Sequence, residues 1–142
     1  VSDAPPVTLP PDAVDSCLER LGGEAVVTAL VDTFYDAMDQ LPEAAGIRAM
    51  HATDLRESRR KLALFLIGRF GGRQTYVEER GHPRLRARHL PFPIDLDAAA
   101  QWMTCMDVAL GVHVAHDPPL RALLRDFFAH VAVHMRNREE PA

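Results

Sequence analysis

Apolar residues in this chain recur at intervals of three and four and never settle into strict alternation, so its segments can bury one face as helices but not as half-buried strands. Glycine and proline cut that pattern into pieces. Val14, Cys17, Leu18 and Leu21 give a short amphipathic helix that starts near Asp12 and stops at Gly22-Gly23. A longer helix, from about Glu24 to Gln40, carries Val27, Leu30, Val31, Phe34, Tyr35 and Met38 until Leu41-Pro42 breaks it. Residues 41–53 read as a loop with at most a short helical turn. Asp54, with Glu57 three residues on, has the form of a capping box opening a helix through Leu62, Phe65, Leu66 and Phe70 that ends at Gly71-Gly72. Asp95 caps a segment bearing Trp102, Met106, Ala109, Leu110 and His113. Asp117-Pro118-Pro119 opens a last helix with the stripe Leu120, Leu123, Leu124, Phe127, Phe128 and Val131. There is no internal repeat, and the expected class is all-α.

A chain of 142 residues, 47% hydrophobic and 25% charged, is long enough to build one core without disulfide or metal staples. Four prolines within residues 1–11 mark a flexible leader, which leaves 12–142 as the expected domain. The formal charge of -4 argues against a dedicated nucleic-acid binder. Cys17 and Cys105 form no C-x-x-C and read as small core residues of a protein in the reducing cytoplasm. No apolar run approaches the ~20 residues that span a bilayer. The start VSDAPPVTLPPD has no basic segment followed by an apolar one, so neither membrane insertion nor classical secretion is expected.

The chemistry concentrates in residues 73–93, RQTYVEERGHPRLRARHLPFP, where Gly81, Pro83, Pro91 and Pro93 leave room only for short helices. Of the seven histidines, His130 and His134 have i, i+4 spacing but lack the Glu of an H-E-x-x-H site. His113 and His116 have no better claim, and His82, between Gly81 and Pro83, is placed for a structural hydrogen bond. His89 differs. It ends a basic run and stands at the close of a short helix that Pro91 and Pro93 terminate at once. One imidazole is a poor zinc site but an adequate axial ligand for haem iron, because the porphyrin supplies four further nitrogens. Arg84 and Arg88, four apart, could face two propionates, although a solvated face or a simple anion patch would use the same residues.

The stretch 71–94, GGRQTYVEERGHPRLRARHLPFPI, resembles the signature of the group II truncated haemoglobins, with its G-G-x-x-x-Y, G-H-P-x-L-R-x-R-H and x-F-x-I elements. The likeness runs outward over roughly residues 12–138, to Gly22-Gly23, to Phe34-Tyr35 and to Trp102. It implies a two-over-two helical sandwich enclosing haem b, iron protoporphyrin IX, with His89 as the proximal ligand. Tyr35 and Trp102 would then be polar donors on the distal side. They are joined by Ser58 and Leu62 on the covering helix and by His51, at a loop position where many globins place another aromatic. The remaining haem contacts it implies are Phe34, Lys61, Phe65 and Leu66 from the two distal helices. Tyr76, His82, Arg84, Arg88 and Phe92 would add the rest from the signature itself. Lys61, Arg84 and Arg88 are the cations that could meet propionates.

Such a site implies reversible binding of dioxygen at ferrous iron, with carbon monoxide and nitric oxide as further ligands. A phenol O–H and an indole N–H favour the gas that draws negative charge. A titratable His51 would make that binding depend on pH. The rival expectation is a haem enzyme, a peroxidase or nitric-oxide dioxygenase. It is disfavoured because no acidic residue follows His89 until Asp95 to make the imidazole electron-rich. A haem-free helical interaction module is the third. A reductase and a homodimeric partner leave no trace in the residues.

Overall fold

The computed structural model describes residues 9–138, so most of the leader expected at 1–11 lies outside the described residues. A 3-10 turn over Pro11–Ser16 leads to α1 (Leu18–Leu21) and α2 (Glu24–Gln40). A second 3-10 turn, Pro42–Ala44, runs into α3 (Ala45–Ala49), followed by α4 (Arg56–Arg69) and α5 (Thr75–Arg80). The chain then forms α6 (Leu85–His89), α7 (Leu96–His113) and α8 (Pro118–His134). Among the described residues there is no strand. α2 packs on α4, α7 packs on α8, and α2 lies against α7, so two helix pairs form the two-over-two sandwich. Phe34, Leu30, Met106, Leu110, Leu124 and Phe128 fill its centre.

Three local expectations are corrected. The first helix is divided at Cys17, because the Leu18 N–H donates to the Phe70 carbonyl (3.1 Å) instead of continuing the turn before it. That contact brings the end of α4 against α1. Gly71 sits there at φ +98, where an added Cβ would lie 2.7 Å from the Asp15 carbonyl oxygen, so the close approach needs a glycine. Residues 41–53 hold more helix than one turn: Ala44 and Ile47 are buried, and the Gln101 side chain on α7 accepts from the Ile47 N–H at 3.0 Å. The capping box does not form. Leu55 is the N-cap of α4, and the Asp54 carboxylate accepts from the Arg56 N–H in a two-residue turn (3.0 Å). Glu57 turns instead to Arg80 on α5, at 2.6 Å.

The caps at the other helices form as expected. Asp95 accepts from the Ala98 N–H (2.9 Å) and Asp117 from that of Leu120 (3.3 Å), each satisfying a donor that the first turn leaves free. α4 and α5 are tied by two ion pairs, Arg80 to Glu57 and Arg60 to Glu79. No helix among the described residues is long and apolar enough to cross a membrane. Burial pushes both thiols, Cys17 and Cys105, up to about 11, so neither offers a reactive thiolate.

Candidate functional site

Between the two helix pairs lies a cavity of about 470 Å³, within the roughly 300–1,000 Å³ typical of cofactor and ligand sites. Seven helices contribute to its wall. α4 supplies Ser58, Lys61, Leu62 and Phe65, α2 supplies Tyr35, and Met50, His51 and Ala52 follow from the end of α3. α7 gives Trp102 above Ala98 and Ala99, while Val131, Ala132 and Met135 come from α8 and its end. Tyr76 of α5 and Leu85, Arg88 and His89 of α6 close the remaining side, with Phe92 and Ile94 just beyond.

The cavity thus gathers eleven of the fifteen residues singled out in the sequence and omits four. Phe34 is wholly buried behind it, with ring centroids 4.9 Å from Tyr35 and 5.0 Å from Trp102. Leu66 is likewise turned into the core. His82 is exposed, and its Nδ1 accepts from the Arg84 N–H at 3.1 Å, the structural hydrogen bond that its loop position suggested. Arg84 is exposed at a left-handed φ of +45 ahead of α6. Arg88 does reach the cavity, yet its Nη2 donates to the carbonyl of Arg80 (3.0 Å).

His89 closes α6, with its ring held from within the helix: Nδ1 bonds the Leu85 carbonyl at 2.6 Å. A carbonyl can only accept, so the proton sits on Nδ1 and Nε2 keeps its lone pair for the cavity. Tyr35 and Trp102 bring donors to the same space. Neither the Tyr35 hydroxyl nor the Trp102 indole N–H has a hydrogen-bond partner among the described residues. Burial raises the Tyr35 phenol to about 12, against a smaller opposing pull from Arg59, so it stays protonated and able to donate.

Sequence reasoning did not find Arg59, which lies with its guanidinium carbon 5.8 Å from the Tyr35 ring centroid. It is held there by Asp32 and Asp36 of α2. The only signal available was a basic residue on α4 matching two acidic ones four apart on α2.

His51 lies on the same part of the wall as Tyr35, its ring 5.8 Å from that of Tyr35 and edge-on to it. Its Nδ1 donates to the Ile47 carbonyl at 2.8 Å, so the neutral ring presents an acceptor, not a donor, at Nε2. Burial is the main reason its pKa is lowered from 6.5, and the charges of Arg48 and His89 add to it. The sign of the stability effect follows. Above 6.5 the ring is neutral in both folded and unfolded chains and stability is full; as pH falls below that value the unfolded chain takes the proton first, and stability is lost until the folded pKa is passed. His51→Leu is expected to flatten that part of the apoprotein's pH profile, which urea denaturation at pH 7.5 and 5.5 would measure.

The residue set fits a haem. The wall is mostly apolar, through Ile47, Met50, Leu62, Phe65, Ile94 and Val131, as a porphyrin face requires. It offers two imidazoles with a free Nε2, His89 and His51, and includes the cations Lys61 and Arg88, which carboxylates could meet. No group of three or more His, Cys, Asp or Glu among the described residues could hold a bare metal ion instead.

Comparison with known proteins is concordant. The family model described as bacterial-like globin matches residues 16–137. A group 2 truncated hemoglobin of Bacillus subtilis, YjbI, is 41% identical over 118 residues, covering 83% of this chain and 86% of that protein. A cold-adapted truncated hemoglobin from the Antarctic bacterium Pseudoalteromonas haloplanktis superposes with a TM-score of 0.84 at 41% identity, over 87% of this chain and 98% of that one. The structure of a truncated oxygen-avid haemoglobin from Bacillus subtilis gives 0.77 at 39% identity, over 86% and 99%.

Proposed function

Because the chain belongs to the bacterial-like globins, and among them to the group 2 truncated haemoglobins, we propose that it binds dioxygen reversibly at a ferrous haem b held by His89, with Tyr35 and Trp102 retaining the gas. The observation that carries this reading is one cavity whose wall brings the His89 imidazole, its Nε2 free, together with two unpartnered aromatic donors and the second imidazole of His51. When bound, the haem would supply four further nitrogens and an iron able to take one imidazole and one diatomic ligand.

The chain's own residues do the rest. The Leu85 carbonyl fixes the tautomer and rotation of His89, so Nε2 is ready as a ligand without reorganisation. Leu62, Phe65 and Val131 would exclude water from the group, and Lys61 and Arg88 would be the cations to meet its carboxylates. The Tyr35 O–H and Trp102 N–H donate to a gas that draws negative charge. Carbon monoxide, which draws less, gains less from the same donors. Neutral His51 contributes an acceptor beside Tyr35 and becomes a donor only when acid protonates it. The oxygen avidity stated for the Bacillus subtilis relative supports retention of the gas. Peroxidase chemistry draws no support from the proximal side, where His89 rests on an uncharged carbonyl instead of a carboxylate.

Titration of the apoprotein with haemin is the test. One equivalent should bind with a sharp Soret band, and the reduced protein should give an oxygenated spectrum that reverts under argon. Failure of 1:1 binding would overturn the cofactor assignment. Oxidation on mixing, with no oxygenated spectrum, would overturn reversible carriage.

A further inference from the structure

The helix that carries His89 has little of its own to hold it. α6 is five residues long, too short to persist alone, since helices below ~12–15 residues are marginal in water. It buries no residue, its N-cap Arg84 makes no side-chain capping bond, and Pro91 denies it a continuing turn. No buried side chain of α6 therefore fixes the position of the His89 backbone. Beside the local bonds from the Phe92 N–H to the His89 carbonyl (3.0 Å) and from Arg88 to the Arg80 carbonyl, hydrogen bonds from a distant part of the chain hold it.

Those bonds come from Asn137, three residues past the end of α8. Its Nδ2 donates to the carbonyl of His89 at 3.1 Å and to that of Phe92 at 2.9 Å. Its Oδ1 accepts from the Ile94 N–H at 2.9 Å and from Arg138 Nη1 at 3.1 Å. Both amide hydrogens and both oxygen lone pairs are thereby used. The backbone repeats the tie, since the N–H groups of Asn137 and Arg138 donate to the Ile94 carbonyl at 2.8 and 3.1 Å. Two residues earlier, Met135 lines the cavity, so the clamp joins the end of α8 to the end of α6 across one wall of the site.

We propose that Asn137 is a positioning residue for the proximal ligand: it fixes the His89 backbone through the carbonyl while Leu85 fixes the ring, so that Nε2 is presented in one place. This rests on His89 being the haem ligand as read above. Asparagine is suited to the task because the same side chain must donate to two carbonyls and accept from one N–H. Aspartate keeps the shape and the acceptor but loses both donors, and would set a carboxylate against two carbonyl oxygens. Glutamine keeps the groups on a stem one methylene longer. Asn137 lies outside the helices and the buried core, so the sandwich does not depend on it.

The experiment compares wild type with Asn137→Asp, Asn137→Ala and Asn137→Gln as full-length haem-loaded proteins. Haem loss to an excess of a tighter-binding apoprotein is measured, with the ferrous iron–histidine stretching band in resonance Raman and far-UV circular dichroism of each apoprotein. The expected result is wild-type helicity throughout, haem loss about tenfold faster in the Asp and Ala variants, the lower end of the ~10–100-fold cost of losing an outer partner. The iron–histidine band should shift or broaden in both and return toward wild type in Gln. An unchanged band with haem loss within twofold overturns the proposal. So does loss of helicity in both the Asp and Ala variants, which would make Asn137 a determinant of folding instead. Should wild type itself show no iron–histidine band, it is the assignment of His89 that fails, a distinct outcome.

Discussion

His89→Ala is expected to weaken haem binding by more than about 100-fold, because losing even an outer partner of a metal ligand costs roughly 10–100-fold and this change removes the ligand itself. The protein fold should survive it. α6 contributes no buried residue, and the apolar wall from α4, α7 and α8 is untouched by a change at its rim. That wall still favours an apolar macrocycle, so weak haem uptake should persist as partition into the cavity without a defined axial ligand. Two readouts separate these contributions. Soret titration gives the affinity, and added imidazole should restore much of it in His89→Gly, where the missing ring can be replaced from solution. Binding within threefold of wild type, or no response to imidazole, would remove His89 from the iron. His82→Ala is the matched control: His82 stands outside the cavity, its Nδ1 engaged with the Arg84 N–H, and its loss should leave affinity nearly unchanged.

How much of this was legible in the sequence depends on the range of the interaction concerned. Breakers act locally, so Gly22-Gly23, Leu41-Pro42, Gly71-Gly72 and Pro91 marked where α1, α2, α4 and α6 stop to within a residue or two. Asp95 and Asp117 reach only three residues ahead, and both caps form. Asp54 and Glu57 had the same local form, but an ion pair with Arg80, twenty-three residues away, took Glu57 instead. α3 read as no more than a short turn for a related reason. Its one buried position, Ile47, and Ala44 in the turn before it give one repeat of the helical period, too little to read as a helix, and its first turn is steadied by Gln101 from α7. In the site, periodicity showed that Phe34 and Tyr35 are both inside. It could not show that one would be sealed in the core while its neighbour lines the cavity, since that depends on how α2 meets α7. The role of His51 turned on a carbonyl four residues back, which makes the neutral ring an acceptor. Asn137 gave no signal because its partners lie 43 to 48 residues earlier.

The distal pair offers the other large effect. Tyr35→Phe and Trp102→Phe should each speed oxygen dissociation roughly tenfold, taking about 1–1.5 kcal/mol for a hydrogen bond to a gas that has drawn charge. Each substitution keeps an aromatic ring in place, so the edge-on contact of Tyr35 with Phe34 and the packing of residue 102 on Phe128 are largely retained. The double variant tests whether the two donors act separately. Independent action multiplies to about 100-fold. Both rings touch Phe34, however, and neighbours that share a packing partner commonly couple by 0.5 kcal/mol or more, so a shortfall of severalfold would place Phe34 in the arrangement. Carbon monoxide supplies the contrast within the same proteins: it gains little from donors, and its dissociation should change less than about threefold. A parallel rise for both gases would mean that the substitutions open the cavity instead of removing hydrogen bonds. An unchanged oxygen rate in Trp102→Phe would take the indole out of the mechanism and leave the buried phenol, protonated up to about pH 12, as the single donor.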